Sequence, residues 1–318
     1  MTTKRIMMLT AASAAAVFLL QGDFGTPKAW AQQGAASEPY SKTCRVTRAR
    51  DNSIQNIEPF KIFDNLYLVG PCYVSVWLLT TPQGDILFDT TQEPFVDHVI
   101  DNIKKVGVNL RDIKYIVLSH GHLDHVGGAA KIQELTGARV VAVEEDWKMI
   151  ADLDGKKGNR DGGGINRMPK RDMVAKEGDH LDLGDQHLIF HHMPGHTPGV
   201  LTTEGIKVYD GGKPHTAILM GGGGYRGGLK EAEQSVTTAD QVAAIKGVEV
   251  NLMVHSWAEP NGYPGGGVLE RAMMLKNRKP GDPHPFVDPA TWEARAKAAQ
   301  AAARRAVGTE KAKAAQKG

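Results

Sequence analysis

Short apolar runs, separated by glycine, proline and polar residues, alternate with stretches of helical periodicity along most of the chain. Two apolar runs, residues 73–79 and 86–88, are joined by residues 81–85, whose proline and glycine are typical of a hairpin turn. Between residues 93 and 106 the apolar residues recur at helical spacing, which predicts an amphipathic helix packed on a sheet. Another apolar run follows at residues 139–143. The pattern therefore indicates an α/β fold in which strands and helices alternate.

Three segments depart from this pattern and set the expected domain boundaries. Residues 32–56 are polar and irregular, and predict a loosely docked N-terminal arm ahead of a domain at residues 57–290. Residues 152–176 are rich in glycine and charge, which is typical of a loop that covers a substrate or of a disordered stretch. Residues 291–318 are rich in alanine and basic residues. Because large apolar residues are scarce there, we expect a docking helix that frays into a solvated basic tail, and not a membrane-surface helix.

Residues 1–31 have the three parts of a secretory signal peptide. Lys4 and Arg5 precede an apolar stretch at residues 6–20, and small residues end the segment at Ala31. A bilayer span needs about 20 apolar residues, so this pattern favours a signal peptide over a membrane anchor. We therefore expect cleavage after Ala31, a periplasmic or secreted location, and no membrane span in the mature chain.

Charge and cysteine content narrow the function classes. Lysine and arginine number 38 against 36 aspartates and glutamates, and this balance gives no reason to expect a nucleic acid partner. Cys44 and Cys72 lack the spacing of metal ligands. In an oxidising compartment they can form a disulfide, whereas in the cytosol they would remain thiols. The sequence leaves both alternatives open, since it does not show whether their Cα atoms approach within about 7 Å.

The strongest chemical signal is the segment at residues 119–125, which follows an apolar run that predicts a buried strand. It contains His120, His122, Asp124 and His125. Because the chain turns from a strand into a helix here, the two histidines at the start can face one metal ion while the last two residues face another. Imidazole and carboxylate ligands without cysteine suit zinc best, and iron or manganese less well.

Two more histidines follow apolar runs further along the chain. His196 lies in a turn framed by proline and glycine, and His255 ends the run at residues 250–254. Three predicted strands thus deliver candidate ligands at their carboxyl ends, where open sheets place their sites. His191 and His192 precede the turn, but adjacent strand residues face opposite sides. We interpret both as non-ligands.

The pattern His-x-His-x-Asp-His with two downstream histidines resembles the metallo-β-lactamase superfamily over about residues 60–289. The resemblance implies a four-layer αββα sandwich, an α/β fold of the α+β type, with two zinc ions at one edge. It also implies that Asp89 supports the metal ligands from behind. The first zinc is assigned to His120, His122 and His196, and the second to Asp124, His125 and His255.

Many members of this superfamily carry a further aspartate that bridges the metals, but here the corresponding strand at residues 215–220 runs into four glycines. The nearest carboxylate, Asp210, has the surroundings of a hairpin tip. The ligand set is therefore most similar to the third subclass of metallo-β-lactamases, which usually has serines that hold the substrate carboxylate. We expect Gly221, Gly222 and Tyr225 to line the substrate pocket, and a serine at Gly221 or Gly222 to strengthen β-lactam binding.

The resemblance implies a zinc hydrolase in which water activated between two zinc ions attacks a carbonyl and Asp124 acts as a catalytic residue that orients it. The leading interpretation is β-lactam opening, with antibiotic resistance as its consequence. The alternative is hydrolysis of a lactone, ester or thioester, and a remote alternative is a periplasmic zinc-binding protein without turnover. In each enzymatic case the partner is a small-molecule substrate, and we expect a monomer.

Overall fold

The computed structural model describes residues 40–47, 51–157, 166–224, 227–256 and 267–316. Twelve strands in these ranges form two sheets. The first sheet has seven strands in sequence order, antiparallel from β1 to β4 and parallel from β4 to β7. Its strands are β1 (Phe60–Phe63), β2 (Leu66–Leu68), β3 (Trp77–Leu79), β4 (Asp85–Phe88), β5 (Ile113–Val117), β6 (Arg139–Val143) and β7 (Met173–Ala175).

The second sheet has five strands in the order β12-β11-β10-β9-β8. Its neighbours are antiparallel except β11 and β12, which are parallel. Asp210 pairs with Lys213 at the tip of the β10–β11 hairpin, which confirms the predicted turn. The strands are β8 (His180–Leu183), β9 (Gln186–His192), β10 (Leu201–Asp210), β11 (Lys213–Met220) and β12 (Val250–Met253).

The helices flank these sheets. Helices α5 and α6 contact β5 and β6 of the first sheet, whereas α7 packs on α9 and α9 contacts β12 of the second. The nine α-helices of the described residues are α1 (Tyr40–Thr47), α2 (Asn52–Gln55), α3 (Val96–Lys105), α4 (Leu123–Val126), α5 (Ala129–Thr136), α6 (Glu144–Leu153), α7 (Leu229–Ala244), α8 (Val268–Leu275) and α9 (Pro289–Ala315). The mixed α/β architecture with two sheets is the one predicted.

One hydrophobic core contains residues of both sheets. Trp77 of β3 is completely buried, and its indole N–H donates to the Met253 carbonyl of β12 at 2.9 Å. Phe286, which precedes α9, meets the Trp77 ring edge-on with centroids 6.4 Å apart. Apolar burial of this kind is the main source of stability in such a fold. It aligns the ends of β5, β9 and β12, from which the candidate ligands emerge.

The prediction that residues 32–56 form an irregular, loosely docked arm is wrong for the part that the structure describes. Helices α1 and α2 occupy this segment, and a disulfide joins Cys44 to Cys72 with their Cα atoms 5.6 Å apart. The buried amide of Gln55 donates to the Cys44 carbonyl at 3.0 Å, and its oxygen accepts from the Tyr73 N–H at 3.1 Å. A covalent link and satisfied buried hydrogen bonds thus attach the segment to the domain.

The C-terminal segment also differs from the prediction, because α9 continues through 27 residues to Ala315, so the described part of the segment is helical almost to its end. Asp288 caps its first turn by accepting from the Thr291 N–H at 3.1 Å, and Pro289 occupies the first turn. Trp292 and Ala303 are buried. The small alanine side chains let α9 lie close against α7, so the packing interface is made by small residues.

The predicted substrate-covering loop at residues 152–176 falls partly outside the described residues, which omit 158–165. Its first residues still belong to α6, and its last form the edge strand β7. Between them Arg167 pairs with Glu134, and the Lys170 N–H donates to Gln133 at 2.7 Å, so the described flank packs on α5. Within the described ranges, no helix has the length and apolarity needed to cross a bilayer.

Candidate metal centre

The loop that follows β5 carries four of the candidate ligands. His120 and His122 flank Gly121, and α4 then begins at Leu123. A Cβ at Gly121 would lie 2.9 Å from the Cβ of Met149 on α6, so the close approach of the loop to that helix requires glycine.

Six side chains converge into two groups of three, and within each group the candidate ligand atoms lie within 4.8 Å of one another. His196 joins the first group from the turn after β9, and His255 joins the second from the end of β12. The first group is His120, His122 and His196, and the second is Asp124, His125 and His255.

The first group has the geometry of three imidazoles around a common point. The ring of His120 lies 4.7 Å from each of the other two, these two are 4.9 Å apart, and all three pairs are close to perpendicular. His120 Nδ1 donates to the Gly221 carbonyl at 2.7 Å, which fixes the tautomer and leaves a lone pair on Nε2. That Nε2 atom is buried and has no hydrogen-bond partner among the described residues. A bound cation would supply the missing partner.

The geometry of the second group indicates a bound cation more strongly. His125 Nδ1 donates to Asp89 at 2.8 Å, and His255 Nδ1 donates to the Tyr73 carbonyl at 2.9 Å. Their Nε2 atoms, which then both carry lone pairs, face each other at 3.2 Å. Asp124 Oδ2 lies 3.8 and 3.9 Å from these two atoms. Two lone pairs and a carboxylate in such proximity fit a cation such as zinc.

Asp89 contacts the start of the ligand loop and one member of the second group. Its carboxylate accepts from the Ser119 N–H at 2.8 Å, from the Ser119 hydroxyl at 2.7 Å and from His125 Nδ1. Its backbone has φ of +61°, a left-handed conformation that aspartate tolerates better than most residues. These contacts orient His125 and hold the start of the ligand loop. The predicted role of Asp89 in supporting bound metal stays a prediction.

Burial and mutual charge shape the electrostatics of both groups. Burial, followed by repulsion from the neighbouring histidines, lowers the pKa of His120 well below its usual range. Burial and then His125 lower the pKa of His255 to about 3. Burial opposes ionisation of Asp124, but the charges of His125 and His255 outweigh it and lower the pKa of that carboxyl. Burial also opposes protonation of His125, but the carboxylates of Asp124 and Asp89 outweigh it and raise the pKa of that imidazole. Zinc binds neutral imidazoles and ionised carboxylates, so a bound ion would displace a proton from His125.

Asp146 is a site residue that the sequence analysis missed. It is 1% exposed in the first turn of α6, and it lies between Gly121 and Gly199, whose added Cβ atoms would be 3.1 Å from Oδ1 and 2.5 Å from Cγ. Burial raises its pKa to about 6, although the Gly121 amide and Thr197 hydroxyl partly oppose the shift. Acidic residues are common in first turns, so the sequence carried no distinguishing signal.

The glycine run packs closely against neighbouring backbone and against a candidate ligand. A Cβ at Gly221 would lie 2.0 Å from the Leu201 carbonyl oxygen, and one at Gly222 would lie 3.2 Å from ring and Cβ atoms of His196. A serine at Gly221 would overlap that oxygen, and one at Gly222 would press on a candidate ligand, so the packing argues against the gain in β-lactam binding predicted for serine at these positions. Gly222 does line a cleft beside His196. Tyr225 lies outside the described residues.

His191 and His192 are absent from both ligand groups. His191 lies between Glu177 and Glu204, at 2.9 and 2.7 Å, and His192 Nε2 donates to the Pro198 carbonyl at 2.9 Å. Asp210 is also absent from both groups, because it forms a bidentate pair with Arg278 at 2.7 Å. Asp124 is the one carboxylate among the described residues in these groups.

Comparison with known proteins agrees with this geometry. The family model described as the metallo-beta-lactamase superfamily matches residues 69–207. The crystal structure of BJP-1, a subclass B3 metallo-beta-lactamase of Bradyrhizobium japonicum, is 31% identical, with a TM-score of 0.64 over 80% of this chain and 96% of that one. FEZ-1, a metallo-beta-lactamase from Legionella gormanii, is 26% identical, with a TM-score of 0.67 over 80% and 97% of the two chains.

Curated relatives match a shorter region. The hydroxyacylglutathione hydrolase GloC of Haemophilus influenzae is 31% identical over 104 residues, which is 32% of this chain and 48% of that protein. A hydroxyacylglutathione hydrolase of Maricaulis maris is 31% identical over 110 residues, or 35% of each chain. The chain thus spans half or less of the length of these two relatives.

Proposed function

The chain belongs to the metallo-β-lactamase superfamily, and from that premise we propose that it is a dinuclear zinc hydrolase acting on a cyclic amide or ester. The observation that carries this proposal is the opposition of the His125 and His255 Nε2 atoms at 3.2 Å, next to a second group of three histidines. Zinc, when bound, lowers the pKa of water to about 7 and polarises a carbonyl oxygen.

The residues of the chain divide the remaining work. His120, His122 and His196 hold the first ion, and Asp124, His125 and His255 hold the second. The Asp124 side chain is 30% exposed, whereas that of His125 is completely buried, so the carboxylate faces the side from which a substrate arrives. It orients the attacking water and holds its proton. Asp89 keeps His125 in the tautomer that binds metal.

We propose β-lactam opening as the leading reaction. The six-ligand set contains Asp124 as its one carboxylate among the described residues, without a bridging aspartate. The proteins of similar structure, BJP-1 and FEZ-1, are described as metallo-beta-lactamases. The amide of a β-lactam needs a strong nucleophile but no covalent enzyme intermediate, and this arrangement supplies the former.

Hydrolysis of a lactone, ester or thioester is the second candidate. Gly221 and Gly222 offer no side-chain donor for the carboxylate that a β-lactam carries. Relatives at 31% identity are described as hydroxyacylglutathione hydrolases, which act on a thioester. These observations favour a carbonyl substrate without a carboxylate beside the bond that breaks.

A steady-state assay of the zinc-reconstituted protein against penicillins, a carbapenem, lactones and thioesters tests both candidates. We expect turnover of at least one class, lost in the protein treated with chelator and in Asp124→Asn. Efficient lactone or thioester cleavage without β-lactam opening would select the second candidate. Two bound zinc ions without turnover of any class would instead support a zinc-binding protein.

We further propose export from the cytosol, with cleavage after Ala31. The disulfide between Cys44 and Cys72 supports this location, because such bonds persist in oxidising compartments. Intact-mass analysis of a periplasmic extract should find a chain that begins at or near Gln32. A cytosolic protein that retains residues 1–31 would contradict the proposal.

A further inference from the structure

A cleft of about 290 Å³ lies beside the first ligand group, and His196 forms part of its wall. The other sides come from the glycine run, from α7 and from α9. Ligand pockets usually have volumes of about 300–1,000 Å³, so this cleft has room for one arm of a substrate and not for a whole one. Because His196 is a candidate metal ligand, an occupant of the cleft would lie against the edge of the proposed reaction site.

Small residues keep the cleft open. Added Cβ atoms at Gly223 and Gly224 would meet nothing within 4 Å, so these glycines leave space that side chains would occupy. On the opposite side α9 contributes Ala299, Ala302 and Ala303. Met193 and Met220, which are almost completely buried, form apolar and adaptable parts of the lining.

The polar side chains of the lining are engaged with other parts of the protein. The Thr238 hydroxyl donates to the Pro194 carbonyl at 2.6 Å, and the Ser235 hydroxyl donates to the Ala232 carbonyl at 2.7 Å. Arg295, the charged residue among the described lining, directs Nη1 to the sulfur of Met253 at 2.7 Å. An occupant therefore gains little from hydrogen bonding to the two hydroxyls and more from burying apolar surface against the alanines and methionines.

We infer that this cleft binds an apolar arm, such as an unbranched acyl chain, of the substrate whose carbonyl is attacked at the metal centre. The inference rests on the proposed function and adds a substrate class to it: cyclic amides or esters that carry an alkyl or acyl chain. The glycine run thus replaces recognition of a charged group by recognition of an apolar one.

Alkyl hydroxamates test this inference because the hydroxamate binds zinc and the alkyl chain reports on the cleft. Acetohydroxamate, butanohydroxamate, hexanohydroxamate and octanohydroxamate are titrated calorimetrically into the full-length zinc-loaded protein. We expect Kd to fall about two- to fourfold per added methylene until the cleft is full, because each buried methylene strengthens binding by about that factor.

Two variants on α9 test whether the alkyl chain of the hydroxamate lies in the cleft. Ala299→Leu narrows the cleft and should cut the ratio of the acetohydroxamate Kd to the octanohydroxamate Kd about tenfold, since more than one methylene loses its place. Ala298→Leu is the matched control, because Ala298 is exposed on the same helix and is absent from the lining. It should keep the ratio of the unsubstituted protein.

The outcomes separate this inference from the proposed function. Hydroxamates that bind with the same Kd at every chain length would contradict the proposed role of the cleft, while the proposed metal centre would stand. A dependence of Kd on alkyl chain length that persists in Ala299→Leu would show that the alkyl chain binds elsewhere, and this result would also contradict the inference about the cleft. If no hydroxamate of any chain length binds, the proposed zinc centre is wrong, and the proposed role of the cleft fails with it.

Discussion

The two ligand groups lie side by side, yet the protein supports them in different ways. The second group depends on a side chain: Asp89 accepts three hydrogen bonds and holds His125 through one of them. The first group depends on close backbone approach: the Gly221 carbonyl holds His120, and Gly121 lies against α6. Asp146 is a buried carboxylate packed against Gly121. The Gly121 amide and the Thr197 hydroxyl lie near its oxygens, but neither makes a hydrogen bond of ordinary geometry to them.

This difference teaches that two buried aspartates near one site can have opposite effects on stability. A carboxylate with three donors is stabilised by its surroundings, and removing its charge leaves those donors without their acceptor. A carboxylate without adequate donors raises the free energy of the folded state when it ionises. Backbone support, in turn, tolerates no added side-chain atom at the contact.

Gly221→Ala should have the largest effect. Its Cβ would overlap the Leu201 carbonyl oxygen at 2.0 Å, so β10 and β11 must move apart and displace the carbonyl that holds His120. We expect a loss of about 3 kcal/mol or more in the free energy of unfolding, together with loss of the first zinc ion. Thermal melts and elemental analysis measure both.

Gly223→Ala is the control for this variant, since its Cβ would meet nothing within 4 Å. Its free energy of unfolding should stay within about 0.5 kcal/mol of the parent value. A Gly221→Ala protein with the melting temperature and zinc content of the parent would refute the idea that backbone contact supports the first group.

The next largest effect concerns the ions themselves. His196→Ala removes a ligand of the first group, and Asp124→Ala removes one of the second. After zinc reconstitution we expect about two ions per parent chain and about one in each variant, because three protein ligands are usual at a catalytic zinc site. Asp124→Ala should keep the first site occupied but lose turnover. Equal loss of both ions in both variants would show that the two groups are not separate sites.

Asp89→Asn should have a smaller but selective effect. Asparagine tolerates the left-handed backbone at this position, but its amide cannot accept all three hydrogen bonds. We expect zinc affinity at the second site to fall about 10- to 100-fold, with little change at the first. Competition with a chromophoric chelator measures the two affinities. An equal loss at both sites would mean that Asp89 supports the whole loop and not His125 in particular.

Asp146→Asn should leave zinc binding to the ligands unchanged in kind and act on stability alone, with the opposite sign. Burial raises the pKa of Asp146 from 3.8 to about 6 in the folded protein, so the folded state binds the proton more tightly than the unfolded state does. Stability therefore falls as pH rises between about 4 and 6. In metal-free protein the variant should be more stable than the parent by about 2–3 kcal/mol at pH 7.5 and similar to it at pH 4.

Denaturant unfolding at several pH values measures this effect. Asp152→Asn is the matched control, because Asp152 is exposed on the same helix, and it should change stability by less than about 0.5 kcal/mol at any pH. Destabilisation by Asp146→Asn at pH 7.5 would show that the ionised carboxylate has donors that stabilise it, and the contrast with Asp89 would disappear.

Much of this architecture follows from patterns that are local in sequence. Alternating apolar runs predicted strands such as residues 86–88, and helical periodicity predicted α3. The candidate ligands could be found because they follow apolar strands, and strand ends converge at one edge of a sheet. The structure places the same six side chains in two groups of three. Alanine-rich composition predicted a C-terminal helix but not its length, since packing against α7 sustains it.

The contacts that hold the ligands form only when segments distant in sequence meet, so composition and local pattern do not predict them. The Gly221 carbonyl reaches His120 across 101 positions, and the Tyr73 carbonyl reaches His255 across 182. The steric bar at Gly221, the buried charge of Asp146 and the cleft beside α9 have the same origin. Residue type alone sets which side chains can bind metal, because ligand chemistry belongs to the side chain. How those side chains are held depends on the fold, because their orientation is fixed by backbone atoms that every residue shares.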